Sequence, residues 1–83
     1  MYYIYVLQNE VQKYYIGYTS NLERRLEEHN SGKNESTKGH QWNYVYYEAY
    51  VSESYARKRE HELKKNRRMN MFFMERIKKS LSY

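Results

Sequence analysis

Glu60 stands where an apolar residue belongs. Ala56 precedes it by four positions and Leu63 follows it by three, so the three share one stripe of a helix. A carboxylate on a buried stripe is costly unless it is ion-paired, hydrogen-bonded or bound to a cation. An internal salt bridge, with Arg25 as a candidate partner, is the structural alternative to a metal ligand. Arg25 and His29 pose the same question on an earlier helix, where with Leu22 and Leu26 they complete one inward or cleft-facing set. Tyr5 and Tyr15 add two phenols of equal strand parity. A turn centred near Glu10 would set them opposite one another on one face of a sheet, where routine aromatic packing is the plain alternative. Each feature alone is ordinary. Together they bring two phenols, a guanidinium, an imidazole and a carboxylate to faces that turn inward, as a polar active site requires.

The elements that must position these groups can be read from local patterns. Tyr2 to Leu7 and Tyr14 to Tyr18 are dense in aromatic and β-branched residues and read as strands joined by a hairpin over Asn9 to Lys13. Ser20 followed by Glu23 has the form of a capping box opening the first helix, and Gly32 is its stop. Residues 33–41 form a polar loop. Trp42 to Val51 reads as a third strand, with Tyr44, Tyr46, Glu48 and Tyr50 alternating against Val45, Tyr47, Ala49 and Val51. Ser52 caps a second helix reaching Lys65. A third runs from about Met69 to Leu81, with Met71, Met74, Ile77 and Leu81 on one face. The order strand, strand, helix, strand, helix, helix predicts an α+β fold, a small three-stranded antiparallel sheet flanked by helices.

With 83 residues, the expectation is one domain over 1–83 with a thin core. Leu, Ile, Val and Phe together number only 14, a composition that would suggest disorder were it not for 12 tyrosines able to fill a core. The absence of cysteine excludes a disulfide framework and a zinc knuckle. No apolar run is long enough to span a bilayer, and the first residues lack the basic start of a signal peptide, so a cytoplasmic protein without membrane association is expected. Charge is unevenly placed. Residues 1–50 balance to −1, whereas residues 51–83 carry ten basic and four acidic side chains. Such asymmetry suits a polyanion, with a solvated helix surface as the plain alternative.

Read in order, the segments resemble the GIY-YIG nuclease domains, in particular the small standalone bacterial branch related to the N-terminal nuclease domain of the excinuclease C subunit. Tyr3-Ile4-Tyr5 is similar to the first motif and Tyr15-Ile16-Gly17 to the second. The segment Asn21 to Gly32 resembles the family's first helix, Trp42 to Tyr50 its third strand, and Ala56-Arg57-Lys58-Arg59-Glu60 its metal-binding helix. The resemblance implies a metal-dependent endonuclease acting on DNA, with Tyr5 and Tyr15 as the motif tyrosines, Arg25 as the catalytic arginine and Glu60 as the single ligand of Mg²⁺ or Mn²⁺. His29 falls where relatives carry His or Tyr near the scissile phosphate. Two positions depart from the pattern: Tyr3 replaces the first motif's Gly, and Tyr18 stands where excinuclease relatives have Lys. The family's C-terminal Asn corresponds to Asn66 or Asn70.

One carboxylate suits Mg²⁺, which keeps most of its water shell and takes substrate oxygens as further ligands. Arg25 would stabilise transition-state charge. Tyr5 is the candidate general base if positive charge lowers its pKa, or His29 takes or relays the proton; Tyr15 would orient water or substrate. Lys64, Lys65, Arg67 and Arg68 would hold phosphates without reading bases, so sequence specificity is expected to be low and selectivity to come from DNA structure, a protein partner or dimerisation, as in repair or recombination. The rivals are a nuclease-like module that binds nucleic acid without cutting it, and an interaction protein with a tyrosine-rich face.

Overall fold

The computed structural model describes residues 1–83 and shows β1 (Tyr2–Asn9), β2 (Tyr14–Thr19), α1 (Leu22–Asn30), β3 (Trp42–Tyr50), α2 (Glu53–Lys65) and α3 (Arg67–Leu81). The strands form one antiparallel sheet in the order β2-β1-β3. This is the α+β arrangement that the order of patterns predicts. β1 lies in the middle, and its run Ile4–Leu7 is fully buried, because both faces of the sheet are covered.

The two faces carry separate cores. On one, Ile4 and Val6 pack with Ala56 and Leu63 of α2 and with Phe73 and Ile77 of α3. On the other, Tyr5, Leu7 and Trp42 pack with Tyr15, Tyr44 and α1's Leu22 and Leu26. Each fully buried aliphatic side chain contributes about 1.5–3 kcal/mol, so a core this small depends on the half-buried tyrosines around it.

A β-bulge sets which residues face which core. The β1–β3 register shifts between Val6 and Leu7, pairing Val6 with Tyr46 but Leu7 with Tyr44. Val45 is the extra residue, and side-chain parity inverts across it. Tyr46, Glu48 and Tyr50 therefore lie toward α2 and α3, whereas Tyr44 and Trp42 lie toward α1. The uninterrupted alternation expected of β3 is broken at this point, and the break supplies Tyr44 to the α1 side.

Several boundaries differ from the sequence reading for identifiable reasons. The α1 cap is Asn21, whose side chain accepts from the Arg24 backbone N–H, so Ser20 and Glu23 form no capping box. Gly32 does follow the helix end, with a positive φ of 81°. Ser52 caps α2 as expected. Asn66 ends α2 and caps α3, so α3 starts at Arg67, two residues before Met69. On α3 the packed residues are Phe73, Met74 and Ile77, while Met71 and Leu81 are exposed. β3 ends at Tyr50, leaving Val51 exposed. No helix is long and apolar enough to cross a membrane.

Candidate active site

The hairpin turn is centred on Val11, one residue later than expected. Asn9 holds it, its side chain accepting the backbone N–H groups of Val11 and Lys13 at 3.0 and 2.9 Å. Moving the centre by one moves the register by two, so Tyr5 pairs with Gly17 and Tyr15 with Leu7. Parity survives this shift. Tyr5 and Tyr15 are thus diagonal neighbours on one face, with ring centroids 6.5 Å apart. The glycine opposite Tyr5 has a steric purpose: a Cβ at Gly17 would overlap the Tyr5 phenol, which lies across it.

Around that phenol the structure builds a directed chain. Arg25 Nε donates to Tyr5 Oη at 3.2 Å, and Tyr5 Oη lies 2.7 Å from His29 Nε2. His29 Nδ1 lies 2.7 Å from Thr37 Oγ1, and that hydroxyl donates to the Asn34 carbonyl at 3.4 Å. One proton arrangement satisfies every group. Nδ1–H donates to Thr37, Nε2 accepts from Tyr5, and Tyr5 accepts from Arg25. Tyr5, His29 and Thr37 are all buried, and the Tyr15 ring lies 5.1 Å from the imidazole.

Electrostatics favour neutral groups inside and a cation at the mouth. Burial pushes the Tyr5 phenol well above its ordinary value, and the bond from Arg25 offsets only part of that. Positive charge therefore does not make Tyr5 an anion in the free protein, contrary to the condition set for a tyrosine base. Burial, then the neighbouring Arg25 charge, brings His29 down to about 4, so its imidazole is neutral at pH 7. Arg25 is half-buried over the phenol, with Nη1 donating to Glu28 at 3.0 Å.

Glu60 lies on α2 outside this chain. Its partner is Lys64, at 3.2 Å, rather than Arg25. The link to the cluster is indirect: Lys64 Nζ sits 5.3 Å over the Tyr15 ring. The Glu60 side chain keeps 25% of its exposure, less hidden than its place between Ala56 and Leu63 implies. No group of three His, Cys, Asp or Glu side chains converges for a metal. A site at Glu60 would thus be a single carboxylate, which fits an ion that retains its water and binds substrate oxygens.

The basic run is exposed at the junction of two helices. Lys64 and Lys65 occupy the last turn of α2, where the helix dipole favours cations; Arg67 and Arg68 occupy the first turn of α3, where it does not, and no acidic residue stands there to compensate. Two arginines at a helix N-terminus work against local stability and present N–H groups and charge to an anion.

Sequence reasoning missed Thr37, Glu28 and Tyr44. Thr37 lies in the segment read as polar loop, yet it is buried, and the Trp42 indole donates to its carbonyl at 2.8 Å. Tyr44 Oη donates to the Leu22 carbonyl at 2.6 Å and so fixes the start of α1 against the sheet. Only the bulge brings it there. Asn70 donates to the Leu63 carbonyl at 2.8 Å and Asn66 caps α3, so both asparagines have local structural work.

Comparison with known proteins agrees with this architecture. Residues 1–74 match the family described as the GIY-YIG catalytic domain. A UPF0213 protein of Natronomonas pharaonis is 42% identical over 64 residues, covering 75% of this chain and 75% of that protein. A UPF0213 protein of Clostridium perfringens is 32% identical over 83 residues, covering 94% of this chain and 89% of that one. The solution NMR structure of a UPF0213 protein from Bacillus halodurans is 32% identical, covers 90% of this chain and 84% of its own, and superposes with a TM-score of 0.55. The matched residues include the hairpin, α1, β3 and α2, and the chain belongs to the GIY-YIG catalytic domain family of nuclease-like proteins.

Proposed function

We propose that this protein is a divalent-metal-dependent endonuclease that hydrolyses DNA phosphodiester bonds with little intrinsic sequence specificity. The observation that carries the reading is the Arg25–Tyr5–His29 chain, a guanidinium, a phenol and a neutral imidazole in hydrogen-bond series. Its chemistry does not require a free phenolate. As water attacks phosphorus, Tyr5 Oη takes the water's proton while passing its own to His29 Nε2. The phenol stays neutral throughout, so its raised pKa is no obstacle. A bound phosphate next to His29 raises the basicity that burial and Arg25 depress.

Arg25 covers Tyr5 and is held by Glu28. Exchange of the Glu28 carboxylate for a phosphoryl oxygen would both open the phenol to water and place the guanidinium on the developing charge. Glu60 would hold Mg²⁺ or Mn²⁺ after parting from Lys64; the ion would supply charge neutralisation at the phosphoryl oxygens and leaving group. The exposed run Lys64, Lys65, Arg67 and Arg68 would grip neighbouring phosphates, giving affinity that falls steeply with salt. A repair or recombination role fits a domain that reads DNA structure rather than sequence.

The burial of Tyr5 and the Glu60–Lys64 pair favour a second reading, a binder that does not cut. The deciding experiment incubates labelled duplex, flapped, branched and single-stranded DNA, and matched RNA, with Mg²⁺, Mn²⁺ or EDTA. Metal-dependent cutting that disappears in Arg25→Ala supports the enzyme. Salt-sensitive binding without cutting under either metal would establish the binder.

A further inference from the structure

A groove of about 760 Å³ lies along β2, on the side away from β1, and is closed by the C-terminal part of α2 and by α3. Its wall is apolar, formed by Tyr14, Ile16 and Met74, and its cations are Lys64 and Lys78. β2 is an edge strand, and consecutive residues of a strand point to opposite faces. Tyr14 accordingly packs on the α3 side while Tyr15 packs on the α1 side, and the groove wraps the sheet edge between them. Tyr15 and Lys64 belong both to this groove and to the border of the candidate active site.

Each phenol here is covered by an ammonium. Lys78 Nζ lies 5.5 Å from the Tyr14 centroid and Lys64 Nζ 5.3 Å from that of Tyr15. Exposed cation–π contacts of this kind are worth about 0.5–1 kcal/mol and are readily exchanged. An incoming planar base can displace an ammonium from a ring face while the ammonium moves to the phosphate beside that base. Tyr14 would be a firm stacking platform, since its hydroxyl accepts from Gln8 Nε2 at 3.3 Å and its ring packs against the core. Glu75, the one acid in the lining, can accept from exocyclic amino groups but not from phosphates.

We infer that this groove is a subsite for an unpaired nucleotide, its base stacked on Tyr14 against Met74 and its flanking phosphates held by Lys64 and Lys78. Only an unpaired base offers a ring face to a protein side chain; in intact duplex the faces are occupied by neighbouring base pairs. The excess positive charge of residues 51–83 selects a polyanion over a second copy of this chain, which carries the same +5 charge. Because the groove adjoins the Tyr5 and Arg25 cluster, a strand with its phosphate at that cluster places an adjacent nucleotide beside Tyr14. The inference rests on the nuclease reading and narrows its substrate to DNA carrying an unpaired nucleotide next to the cut, as flaps, gaps and branches do.

The test uses full-length protein in EDTA, methyl-¹³C methionine NMR, and fluorescence anisotropy with a single-stranded 12-mer and the duplex of the same sequence. The expected result is an upfield ring-current shift of the Met74 methyl on adding the single strand that the duplex does not produce. Tyr14→Ala should weaken single-strand binding roughly ten- to a hundredfold and leave duplex binding unchanged, whereas Tyr14→Phe keeps the platform and the affinity. Lys78→Ala, an exposed change, should weaken single-strand binding alone without altering the fold. Equal loss on single strand and duplex, or a Met74 methyl unmoved at saturation, overturns the subsite while leaving the nuclease reading intact. A Met74 shift that follows protein concentration without DNA also overturns it and assigns the groove to a second copy. Failure of both DNA forms to bind at low salt overturns the subsite and the nuclease reading together.

Discussion

Two polar clusters flank the same sheet, and both combine tyrosines with an arginine. Toward α1, Tyr5 and Tyr15 meet Arg25 and His29. Toward α2 and α3, Glu48 accepts the hydroxyls of Tyr46, at 2.6 Å, and Tyr50, and both Nε and Nη2 of Arg59 at 3.1 Å. The second cluster is closed. Every lone-pair direction of its carboxylate is taken, and the guanidinium holds its pKa below the ordinary value despite burial, which alone would raise it. It fastens β3 to α2, and its carboxylate has nothing left to offer a ligand. The first cluster is open at one side. Arg25 spends one donor on Tyr5 and one on Glu28 and keeps 27% of its side-chain exposure, and the Tyr15 hydroxyl is not a buried orphan needing a protein partner. Convergence of ionisable groups does not make a site; unspent hydrogen-bonding capacity facing an entrance does.

That contrast can be broken most forcefully at the two glutamates. Glu48→Gln removes the charge opposite the partly buried Arg59, which should cost about 1–3 kcal/mol, with cleavage per folded molecule preserved. Glu60→Gln and Arg25→Ala should do the reverse, lowering cleavage about a hundredfold or more with little change in unfolding free energy. Urea titration beside a single-turnover assay checks both halves. An inactive but stable Glu48→Gln would erase the distinction.

Gly17→Ala should come next. The added methyl must displace the Tyr5 phenol, a packing error costing about 1–3 kcal/mol, and cleavage should fall because Tyr5 leaves both Arg25 and His29. No comparable loss is expected from Ala at Gly39, where a Cβ meets nothing, beyond the backbone strain of its positive φ of 87°.

Acid should separate the clusters along the pH axis. His29 titrates near 6.5 when unfolded and about 4 when folded, so the unfolded chain binds the extra proton between those values. Stability is whole above the unfolded value and declines as pH falls toward 4, by an amount on the order of 1–3 kcal/mol. His29→Gln should flatten this limb. Glu48 has a lowered folded pKa, so its contribution is present above the ordinary carboxylate range and is lost only as pH drops through the folded value. Thermal melts from pH 7 to 3 should therefore show two declines, and only the upper one should vanish in His29→Gln.

The smallest effect tests the basic junction. Arg67→Glu with Arg68→Glu should slightly raise the melting temperature, because acids suit the first turn of α3. The same change should weaken DNA binding and reduce its salt slope, measured by anisotropy across salt concentrations. Loss of stability together with unchanged binding would make the arginines structural.

The sequence by itself determined the order of elements and the faces of the two helices that carry Arg25, His29 and Glu60. Helical periodicity is a local property, and the i, i+3 and i+4 spacing puts those residues on their stripes whatever else the chain does. It also determined that Tyr5 and Tyr15 share a face, since a two-residue error in register leaves parity untouched. Tertiary structure alone decided the partners. The bulge at Val45 divides Tyr44 from Tyr46 and so sends one to the candidate site and the other to Glu48. No local pattern marks that extra residue, because its consequence appears only against the partner strand. Burial was likewise misread between the two carboxylates: Glu48, inconspicuous in the alternation of β3, retains 14% of its side-chain exposure, less than Glu60. Thr37 became the orienting partner of His29 only because Asn30, accepting from the Trp42 N–H and donating to its carbonyl at 2.7 and 3.1 Å, ties the end of α1 to the start of β3 and closes the loop between them. Contacts across 8 or 12 positions of chain depend on where elements dock, and docking is set by the packing of whole faces rather than by any residue's neighbours in sequence.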